Sequence, residues 1–334
     1  MATLRASWEG PARLMAFGAG TAGAVALWMA GAVSGEERPG PGEPRLWIAD
    51  RGEGRLVGLD RDLFVSRCAD LTRPVALAAG PDGELWCVVN RGNGPCGPHG
   101  LILARTGLEV PLAGRPLGLA AADGRALVLV EGARHAEVRA LGTDGASRLV
   151  GRVRGGICIA ASGDRTLVGT RRGGLILLDR RGGRRARLGS GDVRAVAAGP
   201  RSTWWALVGK EGTRLVHLSE DLGVRWVAPT GLEEATLAAA AGADSAWVVG
   251  GRKPRALRFG PDGRLERDIG PLPMAGLVAG PVTGDGGLWL LAPGAVLRVD
   301  GAGRLHRGQG GFGFLVGAVV VECNSTRGVA SAAE

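Results

Sequence analysis

A short β-forming motif recurs seven times along this chain at a nearly constant interval, and no other feature restricts its folding as strongly. The motif reads PRLWIAD at 44–50, DGELWCVV at 82–89, DGRALVLV at 123–130 and GDRTLVGT at 163–170. It returns as STWWALVG at 202–209, DSAWVVG at 244–250 and GDGGLWLLA at 284–292. Aligning the large apolar position gives Trp47, Trp86, Leu127, Leu167, Trp205, Trp247 and Trp289, with steps of 39, 41, 40, 38, 42 and 42 residues. A second marker keeps its own phase, a turn glycine at Gly107, Gly145, Gly182, Gly223, Gly263 and Gly303. Two phased markers per period mean that each unit holds several strands.

One unit read through shows how many. PVALAAG (74–80), ELWCVV (84–89), GLILAR (100–105) and LEVPLA (108–113) are four apolar runs separated by Gly, Pro, Asp or Asn. Four strands in roughly 40 residues is the blade of a β-propeller. Helical repeats of that length need 3.6-residue periodicity uninterrupted by glycine, and none is found. The expectation is an all-β propeller of seven four-stranded blades, with six as the alternative. The first unit has runs for a second, third and fourth strand (LWIAD, RLVGLD, FVSRCAD) but none for an inner one. GFLVGAVVVE (313–322) is left over at the other end, and it resembles the inner runs VALAAG and VRAVAAG. It is expected to complete the first blade and hide two sheet edges; the alternative is a stray terminal strand.

Within this frame a family resemblance emerges. LWIADRGEGRLVGLD (46–60) resembles an NHL repeat, with Asp50, Gly52, Arg55 and Asp60 at the matching places. GPDGELW (80–86) is similar to the turn and strand of NHL, streptogramin-lyase-like and gluconolactonase-like propellers. Later units keep only the hydrophobic frame. The resemblance implies the fold over about 44–322 and little about activity, since propellers host hydrolases, lyases, receptors and scaffolds. Gluconolactonase-like enzymes imply a divalent metal held by Glu, Asn and Asp; Glu43 and Asn90 are present, outside that family's surrounding motif. Lyase-like enzymes imply a His and a Glu working as general acid and base. His135, close to Glu131 in EGARHAEV, is the one neighbouring pair of that kind in a loop. His217 and His306 fall in strand-like runs and His99 in a Gly/Pro loop, with no metal-ligand spacing and no CxxC. No catalytic residue, metal or cofactor is assigned.

The ends of the chain read differently. Arg5 and Arg13 precede Leu14 to Val33, twenty uncharged residues, and Glu36 and Glu37 follow. This is the pattern of an export signal, with Ala30-Gly31-Ala32 as a cleavage site, and it is also long enough for an apolar helix to span a bilayer. Residues 1–35 are therefore read as a signal peptide or membrane anchor, 36–44 as a Pro/Gly-rich linker, 45–322 as the propeller and 323–334 as a tail. The body is expected outside the cytoplasm, with the membrane a partner only if the segment is retained. Of five cysteines, Cys87 and Cys96 are near enough in sequence to close a loop, although buried thiols are an equal reading.

The net charge is +9, and of 41 basic residues only Lys210 and Lys253 are not arginine. Loops joining the second and third strands of all blades converge at one end of a propeller. Here they carry Arg51, Arg55, Arg91, Arg134, Arg171, Arg172, Lys210, Arg252, Lys253 and Arg255 against Asp50, Glu53, Glu131 and Glu211. With His135, these ten basic residues form the candidate ligand-binding set, since a concave cationic mouth concentrates anions. Nucleic acid is the less favoured partner, because stacking aromatics are scarce beside the arginines. The arginine-rich run 171–188 extends positive charge to the opposite turn and the outer strand. The function expected is an exported, non-catalytic platform for a protein or anionic partner; the alternative is a lyase or lactonase with its site at the channel mouth.

Overall fold

The computed structural model describes residues 45–321, apart from 60–64, 81–83, 93–96, 105, 180–181, 189–190, 210–212, 240–243, 307–309, 311 and 313–314. The apolar run at 14–33, the linker and the tail lie outside the described residues. Among the described residues no helix is long and apolar enough to cross a membrane.

Seven antiparallel sheets of four strands follow one another around a ring. Blade 2 shows the plan: inner strand Pro74–Ala79, second Leu85–Asn90, third His99–Leu103 and outer Leu108–Leu112. Blade 3 starts at Pro116, blade 4 at Gly156, blade 5 at Val193, blade 6 at Thr236 and blade 7 at Val278. Each inner strand touches the inner strands of both neighbouring blades, so the ring is closed. Blade 1 is assembled from both ends of the propeller. Leu315–Val321 is its inner strand, paired antiparallel with Arg45–Asp50 from Arg45↔Val321 to Asp50↔Leu315, with a bulge at Ala49/Asp50. The C-terminal run therefore closes the ring as expected, and the blade number is seven.

Burial decays outward along each blade. Second strands such as Leu85–Asn90 and Trp204–Val208 are buried at every position, as strands covered on both faces must be. Outer strands such as Leu265–Ile269 are almost wholly exposed, and the exposed large hydrophobics among the described residues, Leu149, Val224, Val227, Leu265 and Leu305, all lie on outer strands. Charged neighbours such as Arg148, Arg225 and Glu266 line those edges and disfavour pairing with another chain.

The repeated large residue explains the interfaces between blades. Trp47, Trp86, Trp205, Trp247 and Trp289 each pack into the core shared with the following blade. Each buried indole removes on the order of 200 Å² from water, worth roughly 5 kcal/mol of transfer free energy at ~25 cal/mol per Å². In blades 5 to 7 the residue opposite on the third strand lies over the ring. His217 stacks on Trp205 with centroids 4.1 Å apart, while Arg258 and Arg298 sit 6.0 and 5.7 Å from the centroids of Trp247 and Trp289. At Gly58 the ring of Trp47 comes so close that an added Cβ would meet it at 3.1 Å.

Candidate functional site: the cationic loop face

In an up-and-down blade, the loop from second to third strand and the loop from outer strand to the next inner strand lie at the same end. Hydrogen bonds tie the two sets together around the ring. The residue leaving a second strand donates its N–H to a carbonyl of the outer-to-inner loop: Glu131 to Arg115 at 2.8 Å, Arg171 to Gly155 at 3.0 Å, Gly209 to Asp192 at 3.1 Å and Gly251 to Glu233 at 2.8 Å. All the described members of the predicted set do reach one face. They do not share it alone.

Four of the predicted cations are taken by carboxylates. Arg55 pairs at 3.4 Å with Asp50, which is fully buried and also accepts the Glu53 N–H at 3.3 Å. The Asp and Arg that carry the NHL-like signature thus clamp a turn. Arg91 grips Glu109 of its blade's outer strand with two hydrogen bonds, one of them 2.9 Å from Nε, and this contact holds the Glu109 carboxyl below the usual range. Arg255 grips Asp268 in the same way, with Nε 3.0 Å from Oδ1. Arg252 reaches Glu233 at 3.2 Å. Of these partners, Glu109 and Asp268 stand on outer strands and Glu233 in an outer-to-inner loop, so a count over one class of loop overlooks them.

Arg51, Arg134, Arg171, Arg172 and Lys253 are exposed and form no ion pair among the described residues. Lys210 lies outside those residues. Three of the five free cations gather where blades 3 and 4 meet, and the structure adds Arg154 to them. Arg154 is exposed, precedes the carbonyl of Gly155 that receives the Arg171 N–H, and has no ion pair among the described residues. It sits in the outer-to-inner loop, and reading both loop classes from the sequence would have found it. Arg172 adopts the left-handed conformation, φ 64°, and its N–H donates to Oδ1 of Asp192 at 3.1 Å. Arg185 and Arg187 of the blade 4 outer strand are also exposed, whereas Arg184 is bound by Asp179 at 3.5 Å and by Asp221. Guanidinium groups on adjoining loops and strands present forked donors that match carboxylate, sulfate or phosphate.

Among the described residues the expected His–Glu pair is not brought together, and the Glu, Asn and Asp set falls partly outside them. Glu131 is held by Arg115 at 2.8 Å, not by His135, which is exposed. Asn90 is buried and its side-chain oxygen accepts the Gly92 N–H at 2.9 Å; Glu43 lies outside the described residues. His99 opens a strand instead of lying in a loop, and it is buried; burial lowers its pKa, with Arg115 and Arg51 adding to the effect against a hydrogen bond at Gly97. Cys87 is a buried free thiol, so it forms no bridge with Cys96, itself outside the described residues, and burial pushes its pKa far up. Cys158 is a second buried thiol, pushed up to about 12 by burial. Among the described residues no group of three His, Cys, Asp or Glu could hold a metal.

No family model and no curated protein matches the sequence. Solved structures do match the fold. AztD from Citrobacter koseri is 13% identical, with a TM-score of 0.59 over 84% of this chain and 98% of that one. BamB from Moraxella catarrhalis is 16% identical, with a TM-score of 0.54 over 81% and 86%. A catalytically inactive virginiamycin B lyase from Staphylococcus aureus, solved with quinupristin, is 11% identical, with a TM-score of 0.55 over 80% and 88%. The resemblance to the NHL- and lyase-like propellers therefore holds as a shared fold.

Proposed function

We propose that this chain is a binding propeller whose working surface is the blade 3–4 sector of the loop face, and that its partner there is a carboxylate-rich segment of another protein. The observation that carries the reading is the group Arg134, Arg154, Arg171 and Arg172, exposed and without ion pairs among the described residues, on a face where Arg55, Arg91, Arg252 and Arg255 are neutralised. A lyase-type reading needs a His–Glu pair at this mouth, and Glu131 is engaged by Arg115. The export reading of residues 1–35 places this surface outside the cytoplasm.

The test is titration of the propeller body with a labelled poly-glutamate peptide at low salt and again at ~0.15 M, where exposed charges further apart than about 8 Å are screened. Replacing the four arginines by serine is expected to abolish binding while leaving the fold intact, since exposed substitutions cost within ~0.5 kcal/mol each. Replacing Arg91, Arg252 and Arg255, already paired, is expected to leave it nearly unchanged. Equal loss in both variants refutes the assignment to one sector, and no loss in the first refutes the surface.

A further inference from the structure

Every blade ends in an outer strand whose far edge carries no β partner among the described residues, and an open edge is a template for another strand. Six of the seven edges are interrupted. The outer strands of blades 1, 3, 5 and 6 each hold an extra residue, Ser66, Val150, Arg225 and Glu266, where the register with the third strand shifts. That of blade 2 contains Pro111, and that of blade 7 is two residues long. Bulges, prolines and short length are the devices that keep other chains off a sheet edge. The blade 4 strand has none of them. Gly182–Arg187 pairs with Gly174–Asp179 at six consecutive positions without a shift.

The ladder places the free groups of this edge. Leu188 donates its N–H to the Gly173 carbonyl at 2.8 Å. In an antiparallel pair such bonds recur at every second residue. Ala186, Arg184 and Gly182 therefore turn their N–H and C=O inward, and Gly183, Arg185 and Arg187 turn theirs to the open side. The same alternation sorts the side chains. Ala186 and Leu188 pack on the core shared with blade 5, and Arg184 is held by Asp179 and Asp221. Arg185 and Arg187 are exposed and have no ion pair among the described residues. Arg187 stands opposite Gly174, just after Arg171 and Arg172, so the edge begins at the cationic sector of the loop face.

We propose, resting on the loop-face reading above, that the carboxylate-rich partner segment runs on from that sector and adds to blade 4 as a fifth strand, antiparallel to Gly182–Arg187, with an acidic residue at every second position. Main-chain hydrogen bonds supply attraction, and alternate side chains select the partner. A residue opposite Arg185 or Arg187 shares their exposed face and directs its own N–H at the edge. Asp or Glu in that place forms a cross-strand ion pair. A second copy of this strand would set arginine against arginine, and like charges directly opposite are destabilising.

Titration of the full-length protein with a labelled peptide alternating glutamate and threonine tests the proposal. Two N-methylated forms of equal charge separate strand addition from charge attraction alone. Methylation at the glutamates removes the N–H groups aimed at the edge and is expected to weaken binding about tenfold or more, as two or three hydrogen bonds are lost, whereas methylation at the threonines changes it by less than about twofold. Arg185→Pro removes an outward N–H and a charge without touching the inner ladder. It is expected to weaken the unmethylated peptide well beyond Arg185→Gln, which removes the charge alone. Equal binding of the two methylated forms, or no binding of the alternating peptide while poly-glutamate still binds, overturns strand addition and leaves the loop-face surface standing. Failure of poly-glutamate itself to bind overturns both. Self-association without peptide that Arg185→Pro abolishes would assign the edge to a second copy and overturn the proposal as well.

Discussion

Acidification from pH ~6.5 is expected to destabilise the propeller through His217, at a pH where its carboxylates stay ionised. His217 is buried between two indoles, stacked on Trp205 at 4.1 Å and edge-on to Trp226 at 5.5 Å. Neither ring nitrogen has a hydrogen-bond partner among the described residues; the nearby Pro261 carbonyl, which favours the protonated ring, already receives the Trp226 indole N–H at 2.7 Å. Burial lowers the pKa from 6.5 to about 4, with Arg225 adding to the effect and Asp244 opposing it. A group whose folded pKa is depressed in this way takes up protons first in the unfolded chain. Stability is therefore full above pH ~6.5 and declines until the folded site also protonates. At ~1.4 kcal/mol per pH unit, the full decline is on the order of 3 kcal/mol, about 2 of it lost by pH ~5. The carboxyls held low by their partners, Glu109 and Asp285 among them, lose their contribution only at lower pH. Urea unfolding at about pH 7.5, 6 and 5 of the propeller body and of His217→Phe, which keeps a ring between the indoles, isolates the term. His99, also depressed, contributes equally to both proteins and cancels. The same pH slope in both proteins would refute the reasoning.

Two further outcomes are expected. Deleting residues 312–334 removes the inner strand of blade 1 and bares a run of six registered pairs on Arg45–Asp50, so the truncated protein is expected to aggregate or to melt many degrees lower in one transition; melting like the full chain would show that the strand pairing contributes nothing to the ring. Removing residues 1–35 is expected to leave the folded body unchanged in circular dichroism and to move it from the exported to the cytoplasmic fraction in cells; a full-length protein found in the cytoplasm counts against the export reading.

Much of the architecture was legible before any coordinates, because strand pairing within a blade is local. Each strand meets the next one in the chain across a short turn, so the spacing of apolar runs and turn glycines carries the blade directly. Ring closure was legible for a related reason: the first unit lacks an inner run and the C terminus has one to spare. The NHL-like Asp50 and Arg55 could be recognised as a pattern, but only their geometry shows that they clamp a turn.

Charge on the loop face was only half legible. The sequence determines that ten basic residues reach the loops between second and third strands. Whether each is free depends on carboxylates arriving from other strands and loops, as Glu109, Asp268 and Glu233 do. Arg252 pairs with a residue 19 positions away, and no periodicity marks that contact. Packing between blades behaves likewise. Leu127 and Leu167 both stand in the sequence where tryptophan is the rule, and nothing in the repeat distinguishes them. The tertiary structure does: Trp204 of the next blade packs against Leu167, whereas Leu127 is buried among smaller side chains such as Ile159 and Val168. Pairing within a blade follows from neighbours in the chain, whereas packing between blades depends on residues about 40 positions apart and charge balance on partners 13 to 19 positions away, so the first was determined by the sequence and the others were decided by the fold.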